Sequence, residues 1–356
     1  MNNYWSQLTK TLSPYEPGEQ PQDRKYLKLN TNENPFPPSE MVLSKIKGSV
    51  CDSLRLYPDP NATKLKSSIA NYYNLDIDNI FVGNGSDEIL AFSFLAFFKD
   101  KNAISFPSVT YSFYPVYCNL YEIEFNTFPL DSNFSIDIDK IDTNSGGIIF
   151  PNPNAPTGVY LGLSEIETML TKFPNIVVVV DEAYIDFGGV SCIKLVKKYH
   201  NLLVIQTFSK SRSLAGLRVG FSIGHPNLIQ ALNRVKNSFN SYPLDSIAIE
   251  GGIAAIEDVD HFTYCCNQII ESRQFLENEL NLMSFQVLPS KANFLFVRHA
   301  KLDGALIYSK LRDNGILVRH FNDPNIDNFL RITIGKKEDM ILLVKSIKSI
   351  LEVDHV

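Results

Sequence analysis

Short runs of apolar residues recur through the first two thirds of the chain, and each run ends in a turn of polar residues or glycine. They occupy residues 80–82, 103–106, 147–150, 176–180, 202–205 and 219–224. Val177–Val180 are four valines in a row, which cannot alternate between two faces, so they predict a strand buried on both sides. Helical or loop segments separate the runs. The pattern predicts an α/β domain with a mostly parallel mixed sheet, flanked by helices, that binds its ligand at the carboxyl edge of its strands.

The pattern changes near residue 260. A helix is predicted over 261–281, followed by two strands, a further helix and two more strands, and an amphipathic helix ends the chain. The predicted strands cover 285–288, 293–297, 316–319 and 329–334, and the second helix covers 303–314. We therefore predict an N-terminal arm (1–29), a large cofactor-binding domain (30–260) and a smaller α+β domain (261–356).

Composition narrows the class of protein. The chain has 356 residues, of which 44% are hydrophobic and 20% charged, with a net charge of −6 and no basic cluster. Nucleic acid and anionic membranes are therefore not expected partners. No apolar run approaches the roughly 18 residues that span a bilayer, and the first residues do not resemble a secretory signal. Five cysteines fit no metal spacing, so we expect reduced thiols, no metal and a cytoplasmic protein.

The residues after the strand at 202–205 predict a site for a carbonyl cofactor that carries a phosphate. Lys210 lies just beyond the buried strand, where desolvation makes a neutral, nucleophilic amine less costly. Thr207, Ser209 and Arg218 supply donors suited to a phosphate. This combination describes pyridoxal 5'-phosphate. Alone, the segment fits equally well a solvated surface lysine and an arginine facing a helix.

Other strand ends add candidate groups. The turn Gly85-Ser86-Asp87 lies between a strand and a helix, an arrangement that presents backbone N–H groups to a phosphate. Asp181 ends the valine strand, where a buried carboxylate is costly unless paired. Arg331 interrupts a buried strand and predicts an anion, with Arg319 as a second candidate. The alternatives are a plain capped turn, an aspartate that caps the next turn, and internal salt bridges for the two arginines.

Ser209-Lys210 followed by Ala215-Gly216-Leu217-Arg218 resembles the lysine motif of the fold-type I pyridoxal-phosphate aminotransferases, in particular the histidinol-phosphate branch. The resemblance runs almost end to end. It implies that Lys210 holds the cofactor and moves the proton, that Asp181 pairs with its pyridine nitrogen and that Tyr184 bonds its phenolic oxygen. It also implies a homodimer in which Tyr57 reaches the partner subunit's cofactor phosphate, and a ring-stacking role for Tyr111.

The same resemblance implies further site residues. Tyr15 of the arm matches a tyrosine that frames the substrate, and Asn34 belongs to a motif near the substrate. The family's usual asparagine before Pro-Thr-Gly is Ala155 here, so Asn154 is the candidate to replace it. Arg331 matches the arginine that binds the substrate's acidic group, and Arg319 is a second candidate for that contact. The implied reaction converts histidinol phosphate and 2-oxoglutarate to imidazole acetol phosphate and glutamate.

Other functions remain open at this stage. The same scaffold serves aromatic amino-acid aminotransferases and a threonine-phosphate decarboxylase, and an arginine that binds phosphate also binds carboxylate. A regulator that binds the cofactor without chemistry usually carries a basic helix-turn-helix module, which is absent from the sequence. A nucleotide-binding α/β protein explains the glycine turn but gives Asp181, Lys210 and Arg218 no role.

Overall fold

A computed structural model describes residues 4–353, so residues 1–3 of the predicted arm and 354–356 of the predicted small domain lie outside the described residues. The arm contains helix α1 (Gln7–Thr11) and strand β1 (Leu27–Lys28), joined by an extended segment. Ser6 caps α1 by accepting a hydrogen bond from the backbone N–H of Thr9.

The large domain consists of seven helices around one seven-stranded sheet. The helices are α2 (Glu40–Ser49), α3 (Thr63–Tyr73), α4 (Gly85–Ser93), α5 (Phe113–Tyr121), α6 (Leu163–Lys172), α7 (Pro226–Phe239) and α8 (Ser246–Glu257). The strands are β2 (Ile80–Asn84), β3 (Ile104–Pro107), β4 (Phe125–Phe128), β5 (Ile148–Pro151), β6 (Val178–Asp181), β7 (Leu202–Thr207) and β8 (Val219–Gly224). Their order is β2-β8-β7-β6-β5-β3-β4. Strand β8 is antiparallel to both its neighbours, and the other pairs are parallel.

The centre of this sheet is buried on both faces. Val178 and Val180 of β6 pack into one hydrophobic cluster, and Val179 packs into the cluster on the opposite face. All residues of β6 and β7 are buried. The predicted doubly buried strand and the α/β fold with its mostly parallel sheet are confirmed. Helices cover both faces, so the polar groups that follow the strands collect at the carboxyl edge.

The small domain follows with helix α9 (Val259–Leu282), strands β9 (Phe285–Val287) and β10 (Phe294–His299), helix α10 (Gly304–Asp313), strands β11 (Ile316–Leu317), β12 (Arg319–His320) and β13 (Leu330–Thr333), and helix α11 (Lys337–Val353). Four of its strands form an antiparallel sheet in the order β12-β13-β10-β9. Its apolar face packs against α9 and α11.

The single strand predicted over 316–319 is two short strands. Strand β11 pairs in parallel with β1 of the arm, whereas β12 pairs with β13, so Val318 marks a change of partner. The prediction of a single strand was wrong because the apolar run continues without a break across Val318, where the pairing partner changes. The pairing with β1 also brings Leu29 into the core of the small domain. The segment after β1 therefore leaves the small domain and enters the space beside the large sheet.

Candidate active site

A cavity of about 270 Å³ lies where the arm, the carboxyl edge of the large sheet and the small domain meet. Most of the predicted site residues line it: Tyr15, Ser86, Asp87, Tyr111, Asp181, Tyr184, Thr207, Ser209, Lys210, Arg218, Arg319 and Arg331. Asp181 and Lys210, which are far apart in sequence, therefore share one cavity. Chemistry that needs both groups on one ligand is geometrically available.

Lys210 follows β7 directly and turns its amine into the cavity. Its Nζ donates to the carbonyl of Thr31 at 3.2 Å and lies 5.8 Å from the centre of the Tyr184 ring. Burial lowers the pKa of Lys210 to about 8, and the positive charge of Arg331 acts in the same direction. A substantial fraction of the amine is therefore neutral near physiological pH, as a nucleophile toward a carbonyl requires.

Asp181 ends β6 and is 5% exposed. One carboxylate oxygen accepts the backbone N–H of Ala183 at 3.2 Å, and the other accepts the Tyr114 hydroxyl at 3.4 Å. Burial raises the pKa of Asp181 to about 7. No cation pairs with it among residues 4–353. The carboxylate is thus arranged to pair with a positive group of a ligand.

The start of α4 and the connection from β7 to β8 form a cup with donors for a phosphate. Arg218 has φ 54°, and its guanidinium donates to Asp87 at 2.9 Å and to Ser209 at 3.4 Å. The Thr207 hydroxyl donates to Ser209 at 3.0 Å. A Cβ on Gly85, which has φ +75°, would lie 2.4 Å from the Arg218 guanidinium. Glycine is therefore favoured at 85 by its positive φ, and a side chain there would also displace the Arg218 guanidinium from its position beside Asp87.

Aromatic residues form one wall of the cavity. The Tyr111 hydroxyl donates to Asp87 at 3.2 Å, which fixes its ring beside the phosphate cup. Tyr15 of the arm contacts Tyr111 edge to face at 6.2 Å and stacks on Phe113 at 4.8 Å. The arm thus covers the site with an aromatic side chain. A flat ring bound over the cup can stack on this wall.

Two arginines face the cavity from the small domain. They are opposite each other on β12 and β13, and Arg331 donates to the carbonyl of Asn30 at 3.1 Å. The Nε of Arg331 is buried without a hydrogen-bond partner, and burial lowers the pKa of this arginine. Arg319 donates at 3.4 Å to the carbonyls of Glu16 and Pro17. Within residues 4–353 neither pairs with a carboxylate, so the internal salt bridge is not formed and both can receive an anion.

Four predicted site residues lie outside the cavity lining. Gly85 lies next to the Arg218 guanidinium. Asn34 donates to the carbonyls of Lys210 and Ser211 at 2.9 and 3.2 Å. Asn154 donates to Val109 and Thr157, and it is Ala155 that lines the cavity. Tyr57 is 82% exposed and stacks on Tyr242 at 4.7 Å. The side-chain amides of Asn34 and Asn154 thus bond neighbouring loop segments, and the ligand contacts expected of these two residues stay predictions.

Thr31 and Asn32 also contact site residues, and neither contact was predicted from the sequence. Thr31 supplies the carbonyl that accepts from Lys210, and the Asn32 amide donates to the Tyr184 hydroxyl at 3.0 Å. The available signal was a polar, asparagine-rich stretch directly before a proline. It indicated a turn, and Asn32 does have φ 56°, but nothing in the pattern told which groups the turn contacts.

Within the described part of the chain, no group of three or more His, Cys, Asp or Glu side chains is placed to hold a metal ion. All five cysteines are free thiols, and only Cys51 is exposed. Among residues 4–353, none of the helices has the length and apolar character needed to cross a bilayer.

Comparison with known proteins gives the family. Residues 24–347 match the model of the family described as aminotransferase class I and II. The chain belongs to this family of enzymes, as the resemblance implied. It is 56% identical over 351 residues to histidinol-phosphate aminotransferase 1 of Methylococcus capsulatus, covering 99% of this chain and 98% of that protein. It is 54% identical over 355 residues to the protein of the same name from Hydrogenovibrio crunogenus, with both chains covered completely.

A solved structure supports the fold. The crystal structure of histidinol-phosphate aminotransferase from Sinorhizobium meliloti in complex with pyridoxal-5'-phosphate matches with a TM-score of 0.87, covers 98% of each chain and is 23% identical in sequence. The predicted fold-type I architecture is confirmed by this match, together with the family model.

Proposed function

We propose that the protein transfers the amino group of histidinol phosphate to 2-oxoglutarate, with pyridoxal 5'-phosphate bound at Lys210, and so produces imidazole acetol phosphate and glutamate. Relatives of this name align over the whole chain at more than half identity. The observation that carries the substrate is the buried, unpartnered Nε of Arg331, which faces the same cavity as Lys210. A buried guanidinium without a carboxylate partner calls for an anion on the ligand.

The residues present fit the cofactor. Its phosphate fits the cup of Ser86, Thr207, Ser209 and Arg218. Its ring can stack on Tyr111. When bound, pyridoxal phosphate supplies the carbonyl that takes up the amino group and the ring that delocalises the electron pair left on the substrate's α-carbon.

Side chains of the protein would supply proton transfer, charge stabilisation and substrate binding. The Lys210 Nζ would hold the cofactor at its carbonyl and would move the proton from the substrate's α-carbon, for which a lowered pKa is suitable. The Asp181 carboxylate would pair with the ring nitrogen and stabilise a positive charge there, and the Tyr184 hydroxyl would bond the phenolic oxygen. Arg331, with Arg319 beside it, holds the phosphate of the substrate as a planar, two-pronged donor. Tyr15 closes the site from the arm.

Two features of the assembly belong to the proposal. The exposed Tyr57 lies in a surface region with the exposed Leu54 and Leu56, which is typical of a protein interface. We therefore assign Tyr57 to the phosphate of a partner subunit's cofactor in a homodimer. The cytoplasm is the proposed compartment, because all five cysteines are unpaired.

The proposal is tested with the purified protein and added pyridoxal phosphate. The visible absorption should change when histidinol phosphate is added, and glutamate should form once 2-oxoglutarate is supplied. Phenylalanine, tyrosine and threonine phosphate are the competing donors. A higher kcat/KM with an aromatic amino acid would establish the aromatic aminotransferase instead, and carbon dioxide released from threonine phosphate would establish the decarboxylase.

Replacing Arg331 with glutamine should lower kcat/KM for histidinol phosphate by about 10- to 150-fold, because a charge-assisted hydrogen-bonding group is worth about 1.5–3 kcal/mol. The loss should appear mainly in KM, since ground state and transition state both use the contact. Activity with unphosphorylated histidinol should fall much less. The matched control is Arg298→Gln, an exposed arginine on β10 that bonds Gln286 at 2.6 Å. An unchanged preference for the phosphorylated donor in Arg331→Gln would contradict the assignment.

A further inference from the structure

The Tyr184 hydroxyl faces the cavity, and the direction of its single proton decides what it can do there. A hydroxyl has one proton to donate and can also accept. Its one hydrogen bond among residues 4–353 is with the Asn32 side chain, at 3.0 Å. If the hydroxyl donates to Asn32, it cannot donate to a ligand. If it accepts from Asn32, its proton is free for the cavity.

The contacts around Asn32 determine the direction of its hydrogen bond with Tyr184. The backbone N–H of Asn32 can only donate, and it donates to the Thr333 hydroxyl at 3.0 Å. The Thr333 proton must therefore go elsewhere, and the Asn32 side-chain oxygen lies 3.0 Å away. That assigns the oxygen end of the Asn32 amide to Thr333. The nitrogen end must then face Tyr184 and donate to it.

The arrangement is held rigidly. Asn32 is 1% exposed and Thr333 is 3% exposed, so water does not compete for these bonds. The backbone carbonyl of Asn32 accepts from the Asn293 side chain at 3.0 Å, and the backbone N–H of Thr333 donates to Leu29 at 3.0 Å. Asn32 has φ 56°, a conformation that asparagine tolerates better than most residues. Rotation of the amide would turn its NH2 group toward the Thr333 hydroxyl, and the Thr333 proton would then lose its acceptor.

We infer that Asn32 and Thr333 are positioning residues that direct the Tyr184 proton into the cavity, where the proposed function places the phenolic oxygen of the cofactor. This inference rests on the proposed function. Thr333 lies two residues after Arg331 on β13, and side chains two apart in a strand are on the same face. One strand of the small domain therefore carries both the anion receptor and the start of the relay from Thr333 through Asn32 to Tyr184.

The relay has a measurable consequence. A hydrogen bond donated to the phenolic oxygen stabilises its negative charge, which lowers the pKa of the nitrogen that joins Lys210 to the cofactor. The charged groups around the Tyr184 hydroxyl are Lys210 after β7, Arg331 on β13, Asp181 on β6 and Asp87 in α4. Substitutions at Thr333 leave all four in place, so they isolate the effect of the proton direction.

The experiment uses the protein loaded with pyridoxal phosphate and measures the pH midpoint of its visible absorption band. Tyr184→Phe and Thr333→Val should each raise the midpoint by about one pH unit, the equivalent of one hydrogen bond to a charged group. Thr333→Ser keeps the hydroxyl and should stay near wild type. In the double variant Thr333→Val/Tyr184→Phe the midpoint should equal that of Tyr184→Phe, because Thr333 acts only through Tyr184.

Two results would overturn the relay. One is a Thr333→Val midpoint equal to wild type while Tyr184→Phe moves; the other is a Thr333→Val shift that adds in full to that of Tyr184→Phe. If Thr333→Val does not fold, Thr333→Ala decides in its place, because it removes the same hydroxyl without adding a charge; an unchanged or lower midpoint refutes the relay. Absence of a visible band in the wild-type protein would refute the proposed function itself, which keeps the two failures apart.

Discussion

Replacing Lys210 with alanine is expected to lower kcat by about 10⁴-fold or more, the upper end of what a positioned acid–base group contributes, because under the proposed function the same residue would also hold the cofactor covalently. The variant should lose the visible band that depends on the lysine but still bind pyridoxal phosphate through the cup. The space left by the side chain opens into the cavity. Small amines such as ethylamine should therefore restore part of the proton transfer, which separates this role of Lys210 from simple binding.

The control for this variant is Lys198→Ala, which removes an exposed lysine that pairs with Glu167 at 2.6 Å. Surface pairs of this kind contribute little, so its kcat should stay within about twofold of wild type. Retention of more than a tenth of the wild-type transamination in Lys210→Ala would show that another group performs the chemistry.

Asp181→Asn is expected to reduce turnover and, in the cofactor-free protein, to increase stability. An amide cannot hold a positive charge on the ring nitrogen, and loss of one partner of a buried pair costs about 3–5 kcal/mol, or roughly 10²- to 10⁴-fold in kcat. Without cofactor, replacing the Asp181 carboxylate with an amide should instead stabilise the fold. The amide at 181 keeps the backbone bond from Ala183 and avoids burying a charge.

The pH dependence of that stability follows from the raised pKa of Asp181, which burial moves from 3.8 to about 7. The stability contributed by the protonated carboxyl is fully present below pH 4 and is lost as the pH rises to about 7, a loss of up to about 4 kcal/mol. Thermal denaturation of the cofactor-free proteins should therefore show Asp181→Asn above wild type, with a gap that widens from about pH 4 to pH 7. A constant gap over this range would contradict the assignment of the buried charge.

The neighbouring carboxylate provides the control for Asp181→Asn. Glu182 is buried behind the site and accepts hydrogen bonds from Ser191, the backbone of Cys192 and Gln206. Glu182→Gln should lower the melting temperature, since it disrupts a satisfied network, while kcat changes only a few-fold. Asp181→Asn and Glu182→Gln should thus have opposite profiles of stability and activity.

The sequence was most informative where one strong physical requirement acts on one residue. The four valines allow only a strand buried on both faces, and a carboxylate at the end of such a strand must have a partner, so Asp181 could be found by pattern. The same holds for Lys210 and Arg331. In each case burying a charged side chain among apolar residues costs free energy, and a residue kept in spite of that cost indicates a function.

The sequence was least informative where small polar residues choose among several partners. The amide of Asn34 donates to the backbone carbonyl of Lys210, a contact that the sequence did not predict. Asn32 and Thr333 are 301 positions apart and meet only because β13 and the segment after β1 are neighbours in the fold. The split of 316–319 between two sheets depends on the same tertiary pairing. Such contacts are set by long-range geometry that local patterns do not encode.

Strand β8 is antiparallel to both its neighbours, and this reversal brings the two ends of the β7–β8 connection together. Because β7 and β8 point in opposite directions, the residue that precedes β8 sits beside the residues that follow β7. Lys210 and Arg218 therefore belong to one hairpin-like connection, residues 208–218. Under the proposed function this single connection would hold the cofactor both at its carbonyl and at its phosphate, so its length would have to suit the distance between those two groups. Insertions or deletions within it should be tolerated far less than elsewhere on the surface.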